Sequence, residues 1–139
     1  MLVYVRAPSP GQRRGECMNE HKNRPLAARV GFALAGLAHA VRAERSLRLQ
    51  LIGLAVALAL LVYWRPAPIW WAVVLLVSSA VIAAELFNTA IERLADQIHP
   101  AEHPQVRIVK DCAAAAVLVL ALGALGVAAA LLLNVLAPR

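Results

Sequence analysis

The sequence predicts an all-α membrane protein, in which an amphipathic surface helix precedes three transmembrane helices. Of the 139 residues, 61% are hydrophobic and only 16% are charged, a composition too apolar for a soluble globular domain. Three long hydrophobic stretches follow an N-terminal region that holds most of the basic residues. The chain is too short for more than one compact unit, so we expect a single domain over residues 25–139.

Residues 1–24 are predicted to be a disordered arm, or an extension created by a start upstream of Met18. Pro, Gly and Arg are mixed there without a period, and the 7–15-residue apolar stretch of a signal peptide is missing. We expect this arm to carry no chemistry.

The surface helix is predicted over about residues 26–47. Its apolar residues recur at spacings of three or four: Leu26, Val30, Leu34, Leu37 and Val41. Charge is low in the first half and high in the second, which contains Arg42, Arg45 and Arg48. This pattern is typical of a helix that lies in the headgroup plane and then rises into a membrane span.

The three spans are predicted at about residues 48–64, 69–97 and 108–134. The first ends at a turn that contains Pro66 and Pro68, and the third has 21 uncharged residues from Ala113 to Leu133. The middle segment begins with Trp70 and Trp71, as an interfacial belt does. It reaches spanning length only if its helix continues through an acidic residue, Glu85.

The distribution of Lys and Arg predicts the orientation of the chain. Nine of the 14 lie before or at the start of the first span, one lies in the first loop, three lie in or beside the second loop, and one is at the C-terminus. By the positive-inside rule, the N-terminus and the second loop are cytoplasmic. The net charge of +6 then fits anionic headgroups, and we expect no nucleic acid because no aromatic and basic binding pattern accompanies it.

A polar stripe lies where the middle apolar segment ends. At 3.6 residues per turn, one helix face carries three carboxylates and an amide: Glu85, Asn88, Glu92 and Asp96. A carboxylate at membrane depth costs roughly 2.5–3.5 kcal/mol on insertion scales, so a stripe of them indicates a functional site. A protonated Glu85 bonded between helices is the structural alternative.

Lys110 and Asp111 add a cation and another carboxylate at the start of the third span. Together with the stripe they supply ligands for a hard divalent cation, a cation for phosphate, and a spare base. Phosphoryl transfer needs these parts, but neither a P-loop nor a protein-kinase motif set occurs in the chain. The residues alone therefore indicate a site for a cation or a phosphate at the membrane interface.

Two sequence motifs extend this interpretation. The segment from Glu85 to Glu92 reads E-L-F-N-T-A-I-E, and the segment from Lys110 to Val117 reads K-D-C-A-A-A-A-V. Both resemble the signature of the small bacterial integral-membrane diacylglycerol kinases, a family that includes undecaprenol kinases. The resemblance covers about Gly31 to Leu133 and includes the layout of three spans.

The resemblance implies a lipid kinase of the bacterial inner membrane. It would transfer the γ-phosphate of ATP, with Mg²⁺, to the hydroxyl of a membrane lipid. The expected acceptor is diacylglycerol, which would become phosphatidic acid. The family further implies a homotrimer with sites between protomers. By position, Glu85 matches the proposed general base, Glu44 and Glu92 match carboxylates that bind the metal and the nucleotide, and three residues match nucleotide and phosphate contacts: Asn88, Lys110 and Asp111.

The chain departs from the family pattern at two places. Gln50 stands where some members have a second acidic residue, so a metal or nucleotide role there is open. The second loop, residues 96–104, looks more like the undecaprenol-kinase branch, which makes undecaprenol an alternative acceptor. Arg48, His99 and His103 stay unassigned.

Structural and functional alternatives accompany these assignments. Glu44 lies among arginines and could form a surface ion pair, and Lys110 could be a snorkelling anchor. A non-catalytic lipid-binding protein or a small carrier would need the same spans without turning over ATP.

Overall fold

The computed structural model describes residues 25–99 and 103–137, so the arm predicted for residues 1–24 lies outside the described residues. Four helices follow one another: α1 (Leu26–Ala43), α2 (Arg45–Trp64), α3 (Pro68–Ile98) and α4 (Pro104–Leu136). All regular secondary structure in the described part is α-helical, which confirms the all-α part of the predicted fold class. The chain forms two compact units, of which the first ends at Leu37 and the second starts at Ala38. Every predicted site residue belongs to the second unit.

Each of the four helices is long and apolar enough to cross a membrane, whereas the sequence predicted three spans. Helix α1 is the shortest and the least apolar of them. Its 18 residues extend about 27 Å, slightly less than the roughly 30 Å of a hydrocarbon core. Its placement on the membrane surface stays a prediction.

A helix break at Glu44 separates α1 from α2, although the predicted surface helix ran on to about residue 47. The backbone of Glu44 is extended, with φ −104° and ψ 122°, and Glu44 is the N-cap residue of α2. The guanidinium of Arg48 donates to the carbonyls of Val41 and Arg42, at 3.3 and 3.0 Å. These bonds satisfy carbonyls that the end of α1 leaves free.

The turn between α2 and α3 is built by its proline and arginine residues. Arg65 adopts a left-handed conformation with φ 49°, and its N–H donates to the carbonyl of Leu61 at 2.9 Å. Pro66 cannot continue the helix, and Pro68 starts α3 at a position where its missing N–H has no helical partner. The turn therefore makes α2 and α3 antiparallel neighbours.

Helix α3 is the centre of the second unit, because it packs against both α2 and α4. The buried core of the bundle is an apolar cluster of Leu61, Val74 and Leu131, one residue from each of these helices. Most other large apolar side chains are exposed, among them Leu76, Leu125 and Leu133. Such a surface is stable in lipid, which solvates apolar side chains.

A cavity of about 420 Å³ lies between α2, α3 and α4, and we call it the apolar groove. Its lining is almost entirely hydrophobic, and six of the residues that form it are Gly53, Leu54, Val77, Val81, Ala124 and Leu125. Gln50 is among its few polar lining residues. The groove thus runs along the apolar part of the bundle and reaches polar side chains near the start of α2.

Helices α3 and α4 are longer than a bilayer core requires. Their 31 and 33 residues extend about 46 and 50 Å, against the roughly 30 Å of hydrocarbon. Their polar ends meet, since Lys110 near the start of α4 contacts Asp96 near the end of α3. The predicted site residues therefore gather at one end of the bundle.

Candidate functional site

Glu85 is the buried carboxylate of the site, with only 5% of its surface exposed. Both of its oxygens accept hydrogen bonds from α2. The Ser46 hydroxyl donates to Oε1, and the Gln50 amide Nε2 donates to Oε2 at 3.2 Å. Ser46, Gln50 and Glu85 therefore form one unit, which we call the polar cluster.

The sequence of α2 accounts for this arrangement. Ser46 and Gln50 are four residues apart, so they lie on the same face of the helix, one turn from each other. Ser46 was not among the predicted site residues, and Gln50 stood out in the sequence only as a departure from the family pattern. The sequence feature that could have identified both residues is a pair of polar residues at i and i+4 at the start of an apolar helix.

Gln50 connects the polar cluster to the apolar groove. Its side chain lines the groove, while its Nε2 is bonded to Glu85. The other amide atom, Oε1, is buried and has no hydrogen-bond partner within the described residues. The groove therefore reaches Gln50, and Gln50 links it to the Glu85 carboxylate behind it.

Asn88 and Glu92 form the next part of the stripe on α3. The Asn88 Nδ2 donates to Glu92 Oε1 at 2.9 Å. Asn88 Oδ1 is buried and has no partner in residues 25–99 and 103–137. A buried unpaired oxygen costs free energy, so this pair offers oxygen ligands to a bound cation or nucleotide.

Glu44 lies close to the same turn of α3 through its ion pair with Arg93. The Arg93 guanidinium is 3.9 Å from Glu44 Oε1, and half of the Arg93 side chain is exposed. Such a partly exposed pair contributes little stability. It is also the surface ion pair that we gave as the alternative to a metal-binding role for Glu44. In the described part of the chain, no three His, Cys, Asp or Glu side chains are close enough to hold a metal ion together.

Lys110 pairs with Asp96 rather than with the adjacent Asp111. Asp96 was part of the predicted stripe but had no assigned role. Asp111 faces solvent and lies 3.9 Å from Arg107, one helical turn earlier. The structure therefore brings Lys110 to the polar end of α3, and it leaves Asp111 on the exposed side of α4.

The two histidines of the second loop have a local structural role. The Nδ1 of His103 accepts from the backbone N–H of Gln105 at 3.3 Å, which caps the start of α4. The rings of His99 and His103 stack with centroids 5.4 Å apart. Both were left outside the predicted site, and their described contacts are with each other and with the start of α4.

The predicted residues thus fall into three neighbouring groups along α3. Glu85 is held by α2, Asn88 is bonded to Glu92 while the next residue, Arg93, pairs with Glu44, and Asp96 is paired with Lys110. A buried carboxylate beside an apolar groove can take a proton from an amphiphile. The more exposed carboxylates and the lysine can bind a cation and an anionic group.

Two comparisons agree with the family signature in the sequence. The family model described as prokaryotic diacylglycerol kinase matches residues 31–132, which contain all of the predicted site residues. A protein named diacylglycerol kinase, from Synechocystis sp., is 36% identical over 134 residues. The match covers 94% of this chain and 76% of that protein.

Proposed function

This chain belongs to the prokaryotic diacylglycerol kinase family and is a lipid kinase, and on that premise we propose that it transfers the γ-phosphate of ATP to the hydroxyl of diacylglycerol, giving phosphatidic acid. The relative from Synechocystis is named for this substrate. Undecaprenol is the alternative acceptor, because the second loop resembles that branch of the family. Both acceptors present a single hydroxyl at the end of an apolar body.

The observation that carries the proposal is the hydrogen bond between Glu85 and Gln50, a polar residue that lines the apolar groove. Gln50 touches both the groove and the carboxylate. A hydrocarbon chain that lies in the groove would bring the attached hydroxyl to the polar cluster. The length of the groove supports this: the α2 residues that line it, Gln50 to Trp64, extend about 21 Å, and one leaflet of hydrocarbon is roughly 15 Å deep.

Glu85 acts as the general base in this mechanism. Its carboxylate accepts the proton of the lipid hydroxyl while the hydroxyl oxygen attacks the γ-phosphorus of ATP. A new oxygen–phosphorus bond forms, the bond from the γ-phosphorus to the β–γ bridging oxygen breaks, and ADP leaves with that electron pair. Phosphoryl transfer depends mostly on positioning and charge stabilisation, and these residues supply both.

Mg²⁺ is the metal that the family implies, and the donor set at the start of α2 and on α3 fits it. Protein sites for Mg²⁺ commonly supply one or two carboxylates, and substrate phosphates and water complete the shell. Glu44 and Glu92 are two carboxylates of this kind, and the unpaired Asn88 Oδ1 lies beside Glu92. When bound, Mg²⁺ would neutralise charge on the ATP phosphates.

Lys110, Asn88 and Asp111 are the remaining residues that we assign to nucleotide binding. Lys110 would exchange its contact with Asp96 for a phosphate oxygen, because its ammonium already reaches the polar end of α3. Asn88 would accept a hydrogen bond at its free Oδ1. Asp111 carries the weakest support, since it faces solvent and contacts Arg107.

We further propose that the protein is a homotrimer in the bacterial inner membrane, with its N-terminus and second loop in the cytoplasm and α1 on the membrane surface. The orientation follows from the distribution of basic residues. Within the described residues of one chain, no three His, Cys, Asp or Glu side chains lie together, and a second protomer would supply further ligands. Small residues in α4, Gly123 and Gly126, suit close packing between helices.

The test is transfer of radiolabel from γ-labelled ATP, with Mg²⁺, to diacylglycerol and to undecaprenol in parallel mixed micelles. We expect label in diacylglycerol and almost none in undecaprenol, with Glu85→Gln as the inactive control. Label only in undecaprenol would keep the kinase and change its acceptor. Label in neither lipid, with folded protein present, would contradict the proposed transfer and favour the carrier or lipid-binding alternatives.

A further inference from the structure

The Glu85 carboxylate is held by two hydrogen bonds that both come from α2. A glutamate side chain has several rotatable bonds, so an unrestrained carboxylate samples many orientations. The Ser46 hydroxyl fixes one oxygen and the Gln50 amide fixes the other. The two donors together define the plane of the carboxylate and leave some of its lone pairs free to accept a proton.

The chemistry of the two donors suits a carboxylate that must stay an acceptor. Neither a hydroxyl nor an amide carries charge, so each can donate to ionised Glu85 without competing for its proton. An acidic side chain at position 50 would be acceptor-only when ionised and would repel Glu85. Gln50 is therefore matched to Glu85, although some members of the family have an acid at that position.

We infer that Ser46 and Gln50 are positioning residues for phosphoryl transfer, and that they hold the Glu85 carboxylate at the end of the apolar groove in the orientation that receives the lipid hydroxyl proton. This inference rests on the proposed role of Glu85 as the base. Neither residue exchanges a proton with the lipid, and both act through Glu85. A displacement of about 1 Å in a catalytic group can reduce the rate about 100-fold, so the loss of one restraint has a measurable effect.

A structural role would look different in an experiment. Hydrogen bonds between helices within a membrane also stabilise helix packing, and their loss would lower the unfolding temperature. That decrease in unfolding temperature would not depend on whether residue 85 is an acid. Positioning, in contrast, acts on kcat, spares the binding of ATP, and requires Glu85.

The experiment uses the full chain in mixed micelles and the two substitutions Ser46→Ala and Gln50→Leu, each made in the wild-type and in the Glu85→Gln background. We expect kcat to fall about five- to twentyfold for each in the wild-type background, with the KM for ATP changed less than about twofold. In the Glu85→Gln background, neither substitution lowers the residual rate further. The thermal midpoint of every sample is measured alongside.

Conservative and matched variants complete the test. Ser46→Thr keeps the hydroxyl, and we expect it to retain most of kcat. Gln50→Glu loses the amide donor, and we expect its kcat to be at least as low as that of Gln50→Leu. Ser79→Ala and Gln97→Leu remove the same groups from exposed positions on α3 and are expected to leave kcat unchanged.

Several results would overturn the inference. If Ser46→Ala or Gln50→Leu lowered the rate of Glu85→Gln by the same factor as in the wild type, the residue would be assigned to helix packing. A fall in kcat that parallels a fall in the thermal midpoint would lead to the same assignment. Full activity of both substitutions beside an inactive Glu85→Gln would reject the inference and leave the proposed base intact. Wild-type turnover in Glu85→Gln would instead reject the base, and the positioning role with it. Where the Glu85→Gln rate is too low to measure, the wild-type background decides: a fall in kcat with an unchanged thermal midpoint supports positioning, and a fall in both overturns it.

Discussion

Two regions hold α2 against α3, one by apolar packing and the other by hydrogen bonds. Near the end of α2, Leu61 packs with Val74 and Leu131 in the apolar cluster, and its side chain is fully buried. Near the start of α2, the polar cluster joins the same two helices through hydrogen bonds to Glu85. The apolar groove extends between these regions.

The difference separates stability from chemistry along a single pair of helices. The apolar cluster gains dispersion contacts that need no particular orientation, so it can hold the bundle together. The polar cluster buries a carboxylate, which costs free energy in a membrane, and it fixes the direction of that carboxylate. We therefore expect substitutions in the two clusters to have different effects on turnover and on unfolding.

The largest expected effect is that of Glu85→Gln on turnover. Loss of a general base typically lowers the rate about 10²- to 10⁴-fold, so kcat should fall at least 100-fold. The thermal midpoint should stay near that of the wild type, because glutamine still accepts a hydrogen bond from α2. Lipid phosphorylation and thermal unfolding of the same purified sample measure both. Near-wild-type turnover in folded protein would contradict the role of Glu85.

Leu61→Ala should have the opposite effect. Removing a fully buried leucine leaves a cavity and costs about 2–5 kcal/mol of stability in known protein cores. The thermal midpoint should therefore fall, while kcat per folded protein stays within about threefold at a temperature below unfolding. The neighbouring Val62 is 60% exposed, and Val62→Ala is the matched control that should change neither. An unchanged midpoint for Leu61→Ala would show that the apolar cluster does not hold the bundle.

Lys110→Met tests whether the polar end of α3 and α4 binds nucleotide. We expect the KM for ATP to rise about tenfold, because a charge-assisted contact to a phosphate is lost. The KM for lipid should hardly change. Arg107→Met removes a more exposed cation one turn earlier on α4 and should leave both values within about twofold. An equal effect of the two substitutions would indicate general electrostatic attraction instead of a specific contact.

Gly53→Leu gives the smallest expected effect and tests the groove between the two clusters. A Cβ atom at Gly53 meets nothing within 4 Å, and leucine favours a helix over glycine by about 1 kcal/mol, so folding should not suffer. The added side chain occupies the groove, and the KM for lipid should rise about three- to tenfold with no change for ATP. Ala55→Leu, at an exposed position on the same helix, is the matched control. An unchanged lipid KM in Gly53→Leu would place the lipid chain outside the groove.

The sequence predicted much of the fold because apolar length and turn chemistry are local properties. Helix α3 starts at Pro68, beside the predicted 69, whereas α4 starts at Pro104, four residues before the predicted span at about 108. The break at Glu44 was not predicted, since the apolar periodicity continues across it and no Gly or Pro marks it. The hydrogen-bond partners of Arg48 were also unpredictable, because they are backbone carbonyls at the end of α1.

The candidate site was predicted in part for a similar reason. Glu85, Asn88 and Glu92 share one helix, so their spacing alone places them on one face. Contacts between helices depend on register, which the sequence of one helix does not contain. The pairing of Lys110 with Asp96, and of Glu44 with Arg93, therefore appeared only in the folded chain.

By itself, the sequence determined the membrane class, the all-α fold, the polar stripe of α3 and, through its motifs, the kinase family. These properties follow from composition, from the 3.6-residue period and from residue identity, and none of them depends on how helices meet. The tertiary structure decided that Ser46 and Gln50 hold Glu85, that Gln50 lines the apolar groove, and that Asp111 faces solvent. The reason is geometric, because two helices must first pack in one register before a donor on one can reach an acceptor on the other.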